Sequence, residues 1–348
     1  MKTNMHVKVA GIALQTPVLA ASGTFGYGVE FEDIVHLERI GGFVTKGLST
    51  LPMPGNPAPR MIETSAGMIN AIGLQNIGVA NYITQKLHAF SHNPPPCAIF
   101  CNVFGYQIED YLAVIRALNA ADGIAAYEIN ASCPNTAHGG MVFGADAKLL
   151  SELVTQARKA SDRPIFVKLS PNVTSIAAMA RVAEDAGADG LTLINTFLSL
   201  AIDIRTRKPR IANITGGLSG PAIKPIAVRM VWEAAQAVKI PILGAGGIRT
   251  GEDAVEFLLA GAAAVQVGTA SYADPRAVER VADGLEHWCS RNSIADVSSL
   301  VGSFDTGKAP APMPAPGMVS SLPVGAPLLP EPPADAPELP AALSPSKP

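Results

Sequence analysis

With 348 residues, 48 % of them hydrophobic and only 16 % charged, the chain has enough apolar material for a large core, which excludes a disordered or fibrous protein. A formal net charge of −3, with no run of Lys and Arg, argues against nucleic acid as a partner. No stretch approaches the roughly 18 apolar residues of a membrane span, the start Met1-Lys-Thr-Asn-Met-His6 has no apolar signal core, and the four cysteines include no CxxC pair, so a cytoplasmic protein is expected.

Short β-branched runs alternate with segments of helical periodicity, the pattern of a parallel sheet with crossover helices. Eight such runs follow in order: Val18–Ala21, Gly42–Lys46, Ala98–Val103, Ala126–Asn130, Ile165–Leu169, Gly190–Ile194, Ile242–Ala245 and Ala264–Gly268. Eight strands close a barrel, so the fold expected is a (β/α)8 TIM barrel with long rim loops. The clearest helices are Asn172 to Ala186 and Gly251 to Ala260, each stopped by a Gly-Ala pair. Two connections exceed ordinary βα loops: Ser49 to Gln75, with four prolines, and Phe197 to Gly220, with Arg205, Arg207 and Arg210. From about Ala309 the chain changes character, because 13 of its 29 prolines fall in the last 40 residues. The expected organisation is therefore one catalytic domain, residues 1–304, and a proline-rich, disordered tail, residues 305–348.

In such barrels chemistry sits at the C-terminal ends of the strands. The polar residues closing the runs are Thr45-Lys46, Asn102, Glu128-Ile-Asn130, Lys168 and Asn195-Thr196. Any one of them alone could be an idle loop residue; two lysines and three asparagines on one rim point to a ligand, since burying such groups without partners is costly. After the seventh run comes Gly244-Ala-Gly-Gly-Ile-Arg-Thr-Gly-Glu-Asp253, and the eighth ends in Gly268-Thr269. Bare glycines there let backbone N–H groups approach an anion, and Thr250 with Asp253 has the spacing of a capping box, so these two loops form a candidate phosphate site. The competing reading is glycines that serve only tight turns. A dinucleotide fingerprint is not supported, since no GxGxxG follows the first strand. Cys133 stands between Ser132 and Pro134 in a loop just past the fourth run, where a thiol could exchange a proton with a ligand. Cys97 and Cys101 read as packing, Cys289 as part of a terminal helix, and His138 as a polar loop residue without a chemical duty.

Three segments, Asn70-Ala-Ile-Gly-Leu-Gln-Asn76, Asn130-Ala-Ser-Cys-Pro-Asn135 and Gly216-Gly-Leu-Ser-Gly-Pro-Ala-Ile-Lys-Pro225, resemble dihydroorotate dehydrogenases, and the likeness runs from about Val7 to Gly302. Ala21-Ser-Gly-Thr-Phe-Gly26 and Ile204-Arg-Thr-Arg-Lys-Pro-Arg210 further resemble the NAD-linked class 1B catalytic subunit rather than the fumarate-linked class 1A enzyme. The resemblance implies oxidation of dihydroorotate to orotate in pyrimidine (UMP) biosynthesis. It implies a flavin mononucleotide (FMN) that takes the C6 hydride at N5, with Cys133 as the base for the C5 proton. It implies substrate contacts from Lys46, Asn70, Ile72, Gly73, Leu74, Asn130, Asn195 and Thr196. It implies FMN contacts from Ser22, Thr45, Lys46, Asn102, Asn130, Lys168, Ile194, Gly220, Gly246, Gly247, Gly268 and Thr269. The last four of these overlap the phosphate site read from the glycines alone. Class 1B also implies a partner subunit carrying FAD and a [2Fe–2S] cluster that passes electrons to NAD+, around a homodimeric core within a heterotetramer. The cysteines here offer no cluster site of their own. Rival readings are a barrel like dihydropyrimidine dehydrogenase, which would bring ferredoxin-like cysteine repeats, and one like the dihydrouridine synthases, which would bring a basic docking face. A third is a non-catalytic barrel binding a phosphate-bearing ligand, which leaves the thiol and the rim of amides unexplained.

Overall fold

The computed structural model describes residues 3–90, 94–131 and 143–307. All eight apolar runs become strands. In chain order the strands are β1 (Val7–Val9), β2 (Ile12–Leu14), β3 (Val18–Ala20), β4 (Gly42–Val44), β5 (Met61–Thr64), β6 (Gly67–Asn70), β7 (Ala98–Val103) and β8 (Ala126–Asn130). There follow β9 (Ile165–Lys168), β10 (Gly190–Leu193), β11 (Phe197–Leu200), β12 (Ile202–Asp203), β13 (Lys208–Pro209), β14 (Thr215–Ser219), β15 (Ile242–Ala245) and β16 (Ala264–Val267). Strands β3, β4, β7, β8, β9, β10, β15 and β16 close into a barrel in that order, every pair parallel. This is the expected (β/α)8 barrel, within a compact unit that spans Met1–Phe304.

Because both faces of each barrel strand are covered, the strands read as continuous apolar runs rather than alternating ones. The inward side chains nearest the strand starts, Leu19, Val44, Phe100, Ala126, Phe166, Leu243 and Ala264, pack together with Val9 and Leu14 of the antiparallel β1–β2 hairpin. That hairpin plugs the N-terminal end. Ligands are left only the C-terminal mouth.

The helices are α1 (Val79–Asn81), α2 (Ile108–Asn119), α3 (Ala147–Ala160), α4 (Ile176–Asp185), α5 (Lys224–Ala235), α6 (Gly251–Leu259), α7 (Ala270–Ala273) and α8 (Ala277–Arg291). Their apolar stripes face the barrel. In α3 the buried Leu150, Leu153, Val154 and Ala157 follow i, i+3, i+4, i+7 spacing, and each leucine contributes about 1.5–3 kcal/mol by leaving water. Asp146 caps α3 by accepting from the Leu149 N–H at 2.9 Å. The Thr250–Asp253 capping box forms as its spacing foretold: Thr250 Oγ1 accepts from the Asp253 N–H, and Asp253 accepts from the Thr250 N–H. Helix α4 starts later than Asn172, because Ser175 supplies the cap while Asn172 turns toward the rim.

On the flank of α8, Glu279 is 1 % exposed and accepts from His36, Arg39 and Arg276. Burial opposes its charge, but the bonds from Arg276 and His36 outweigh that and hold the carboxyl below its usual range. A carboxyl depressed in the folded state stabilises it above the ordinary Glu pKa of about 4.3, and the contribution disappears as pH falls through the lowered value. Glu279→Gln is therefore expected to cost on the order of 1–2 kcal/mol at neutral pH, since its cationic partners are half-exposed and can rehydrate. The difference from the parent chain should vanish in acid urea titrations.

The two long connections do not stay irregular. Each grows from the C-terminal end of a barrel strand, β4 or β10, and their segments pair into one antiparallel sheet of order β11-β14-β6-β5, with Gly217 opposite Asn70 and Leu218 opposite Ile69. The antiparallel β12–β13 hairpin projects beyond it. This sheet brings Asn70, Thr196 and Gly220, far apart in sequence, to one side of the mouth.

Candidate functional site

At the mouth the inward positions of the strands turn polar. Asn102 on β7 is 1 % exposed; its Nδ2 donates to Glu128 at 2.8 Å, and its Oδ1 has no partner among the described residues. A buried amide oxygen left without a donor is costly, so it marks a place where a ligand N–H is expected. Thr45 closes this corner, its hydroxyl accepting from the Asn102 N–H at 3.1 Å while its carbonyl accepts from Ser22 Oγ at 2.7 Å. On β8, Asn130 Oδ1 accepts from Asn195 Nδ2 at 3.4 Å, and Asn195 Oδ1 accepts from the Thr196 N–H at 2.8 Å. Asn172 Nδ2 donates to the Thr196 carbonyl at 3.2 Å, steadying the same chain of amides.

Two lysines supply positive charge. Lys168 ends β9 with 7 % exposure and its Nζ 3.5 Å from Glu128 Oε1. Lys46 follows β4, and among the described residues no carboxylate pairs with it. Burial, aided by the nearby Arg60 cation, pushes the Lys46 ammonium below its usual range. A desolvated cation without a counter-ion suits an anionic ligand.

The segment Ile72–Leu74 is shaped for close approach. Gly73 has φ +73°, and a Cβ there would lie 2.6 Å from Asn56 Cγ. The flanking carbonyls are tied down: Ile72 O accepts from the Asn56 N–H at 2.9 Å and Leu74 O from Asn76 Nδ2 at 2.7 Å. Asn70 reaches back to the Gly217 carbonyl at 3.5 Å. The turn is held, while the N–H groups of Ile72, Gly73 and Leu74 donate to no acceptor among the described residues.

Past the end of β14 lies the glycine cradle. Gly220 and Gly247 both have positive φ, +90° and +79°, and a Cβ on Gly247 would meet the Gly220 carbonyl at 2.8 Å, so only glycine fits. Gly246 and Gly268 continue the surface, and Thr269 Oγ1 lies 2.8 Å from Ser219 Oγ. The N–H groups of Gly246, Gly247 and Thr269 donate to no acceptor among the described residues. Free N–H groups beside two hydroxyls make an anion site. Ser219 was missed by the sequence reading, although it sits one residue before Gly220 in the quoted motif.

Ile194 is buried behind the rim. The structure thus brings Ser22, Thr45, Lys46, Asn102, Asn130, Lys168, Asn195 and Thr196 to one mouth, facing the Gly73 turn and the Gly220–Gly247–Thr269 cradle. Glu128 is wholly buried, two residues before Asn130 on the same inward face and in register with Asn102. Cys133, like His138, lies outside the described residues, two positions after Ala131, which follows the end of β8. Cys97 and Cys101 are pushed up to about 12 by burial, which keeps them as inert thiols. Burial also raises Cys289.

The donor set matches FMN: a phosphate cradle of free N–H groups, an orphaned amide oxygen for a ring N–H, and a cation for the electron-rich end of a flavin.

Comparison with known proteins agrees with this chemistry. Residues 4–289 match the family described as dihydroorotate dehydrogenase. A protein of Solibacter usitatus, provisionally named dihydroorotate dehydrogenase A (fumarate), is 57 % identical over 304 residues, covering 87 % of this chain and 99 % of that one. The dihydroorotate dehydrogenase B (NAD(+)) catalytic subunit of Pelobacter propionicus is 52 % identical over 305 residues, covering 88 % and 100 %, and that of Trichlorobacter lovleyi is 52 % identical over 306 residues, covering 88 % and 100 %. The names of these relatives differ over the electron acceptor and agree on the family, in line with the resemblance of the three motifs, and the chain belongs to the dihydroorotate dehydrogenase family.

Proposed function

We propose that this chain is the FMN-binding catalytic subunit of an NAD-linked dihydroorotate dehydrogenase, oxidising dihydroorotate to orotate in pyrimidine biosynthesis. The observation that carries the reading is the gathering at one mouth of polar groups without a partner among the described residues (Asn102 Oδ1, the Lys46 ammonium) and a glycine cradle whose N–H groups donate to no acceptor among those residues. FMN would supply the two-electron acceptor for this oxidation; Gly246, Gly247, Gly268 and Thr269 would hold its phosphate, and Ser22, Thr45, Lys46, Asn102, Asn130, Lys168, Ile194 and Gly220 would hold the rest of it.

The chain's residues do the rest. Lys46 and the N–H groups of Ile72, Gly73 and Leu74 take the substrate carboxylate, while Asn70, Asn130, Asn195 and Thr196 read the amide-like edges of the ring. Cys133, three residues beyond Asn130 at the end of β8, removes the C5 proton as a general base.

For the acceptor, the Ile204–Arg210 segment and the B-type relatives favour NAD+, reached through a partner subunit with FAD and a [2Fe–2S] cluster. Among the described residues no His, Cys, Asp and Glu group could hold a metal, and no helix is long and apolar enough to cross a membrane. The fumarate-linked reading is kept as the alternative because of the Solibacter relative.

A homodimer core is supported by the edge strand β11, where Leu198 and Leu200 are 60 % and 50 % exposed, with Ile202, Ile204 and Ile214 continuing the apolar stripe. Leu200→Glu is expected to convert a dimer to a monomer in light scattering while leaving flavin bound. A parent chain already monomeric at micromolar concentration would remove the dimer. The function itself is tested by flavin and iron content in native-host material: stoichiometric FMN on this chain, with FAD and iron on a copurifying partner. Full NAD+-linked turnover by the isolated chain would refute the partner, and colourless protein that takes up no FMN would refute the function.

A further inference from the structure

One group in the barrel is used by none of the roles above. Glu128 is fully buried, in register with Asn102, and receives donors from four strands. Its Oε1 accepts from Asn102 Nδ2 at 2.8 Å and faces Lys168 Nζ at 3.5 Å; its Oε2 accepts from Thr192 Oγ1 and Gln266 Nε2, each at 2.8 Å. Every one of these contacts is a donor, so the ring is built for the carboxylate form. Taking a carboxylate out of water costs several kcal/mol even when it is well bonded. An apolar residue would fill the barrel at less cost, as Phe100, Ala126 and Phe166 do one layer down. The charge needs a purpose beyond packing.

Two consequences for the rim follow. An acceptor-only neighbour forces Asn102 to turn its NH2 inward, and so its Oδ1, the orphaned atom, is the one left for a ligand. The same carboxylate also offsets the Lys168 cation that borders the site. Reducing a flavin adds negative charge to it, which a lysine favours and a buried carboxylate opposes.

We infer that Glu128 is a positioning residue for the cofactor: it fixes Asn102 as an acceptor and sets the net charge beneath the flavin, keeping the reduced state from being overstabilised. The inference rests on the flavin reading proposed above. Its test is an equilibrium rather than a turnover rate. The purified holoprotein is poised anaerobically with a reference dye, and the ratio of oxidised to reduced flavin is read by absorbance at fixed ambient potential. Glu128→Gln is expected to lower that ratio by on the order of tenfold, about 30 mV for a two-electron couple. Glu128→Asp, which keeps the charge but draws it back from Lys168, moves it the same way by less. Gln266→Met, which deletes one donor and keeps the charge, stays within about threefold, the scale of one neutral hydrogen bond. A Glu128→Gln holoprotein with a ratio within threefold of the parent overturns the inference. So does a Gln266→Met shift as large as that of Glu128→Gln, because packing and not charge would then set the ratio. If Glu128→Gln does not fold, the sign of the Glu128→Asp shift decides. A parent chain that binds no flavin defeats the proposed function instead, which separates the two failures.

Discussion

Replacing Cys133 by alanine is expected to leave FMN bound and to slow anaerobic flavin bleaching by dihydroorotate by roughly 10²-fold or more, the scale of a lost general base. The side chain is small and, in the sequence, belongs neither to the glycine segments of the cradle nor to the Thr45-Lys46 pair, so flavin content and melting temperature should hardly move. Because the thiolate is the base, the parent rate should climb as pH rises through the range where a thiol ionises, near about 8.5 in the absence of a shift. The alanine variant should lose that dependence. Stopped-flow absorbance under argon measures both. A variant that bleaches at the parent rate, with the same pH profile, takes Cys133 out of the reaction.

Lys46→Met carries the second large effect. A desolvated ammonium with no counter-ion among the described residues is most valuable where it meets a carboxylate, and removing one partner of such a pair costs about 2–5 kcal/mol. The expected result is a loss of about 30-fold or more in kcat/KM, with weaker orotate binding, while much of the FMN affinity survives through the cradle. The sign of its pH dependence follows from burial, which lowers the Lys46 pKa. Only the protonated lysine pairs with a carboxylate, so orotate affinity should fall as pH rises through a value below the ordinary lysine range of about 10.4. With Cys133 acting in the opposite sense, kcat/KM should rise and then fall with pH, and Lys46→Met should erase the falling limb. Orotate binding that is equally tight in both proteins across that range contradicts the role.

The barrel could be read in the sequence because each of its strands is buried on both faces and so stands out as an apolar run between glycine-rich turns, as in Ala98–Val103 and Ala264–Val267. The β1–β2 hairpin was not legible, since three-residue strands carry no period. Nor was the rim sheet, because β6 and β14 meet across 147 residues in segments rich in glycine and proline, where local propensity says loop. Polar residues that end strands, such as Lys168 and Asn102, revealed themselves by breaking an apolar run. Glu128 did so too, but a strand's two-residue period cannot tell a ligand contact from a residue held by its neighbours; only the donors that Thr192 and Gln266 bring from other strands show that its Oε2 is taken up within the barrel. Ser219 went unnoticed for a similar reason: its partner Thr269 is 50 residues away.

The central claim, a flavin and a pyrimidine acid sharing the barrel mouth, is tested most directly by titrating the yellow, oxygen-free protein with dihydroorotate and with dihydrouracil while following flavin absorbance. Stoichiometric bleaching by dihydroorotate, and none by dihydrouracil, is the result expected, because only dihydroorotate carries the carboxylate that Lys46 and the Gly73 turn are arranged to hold. Bleaching by dihydrouracil in preference, or an unchanged flavin spectrum with excess dihydroorotate, would contradict it.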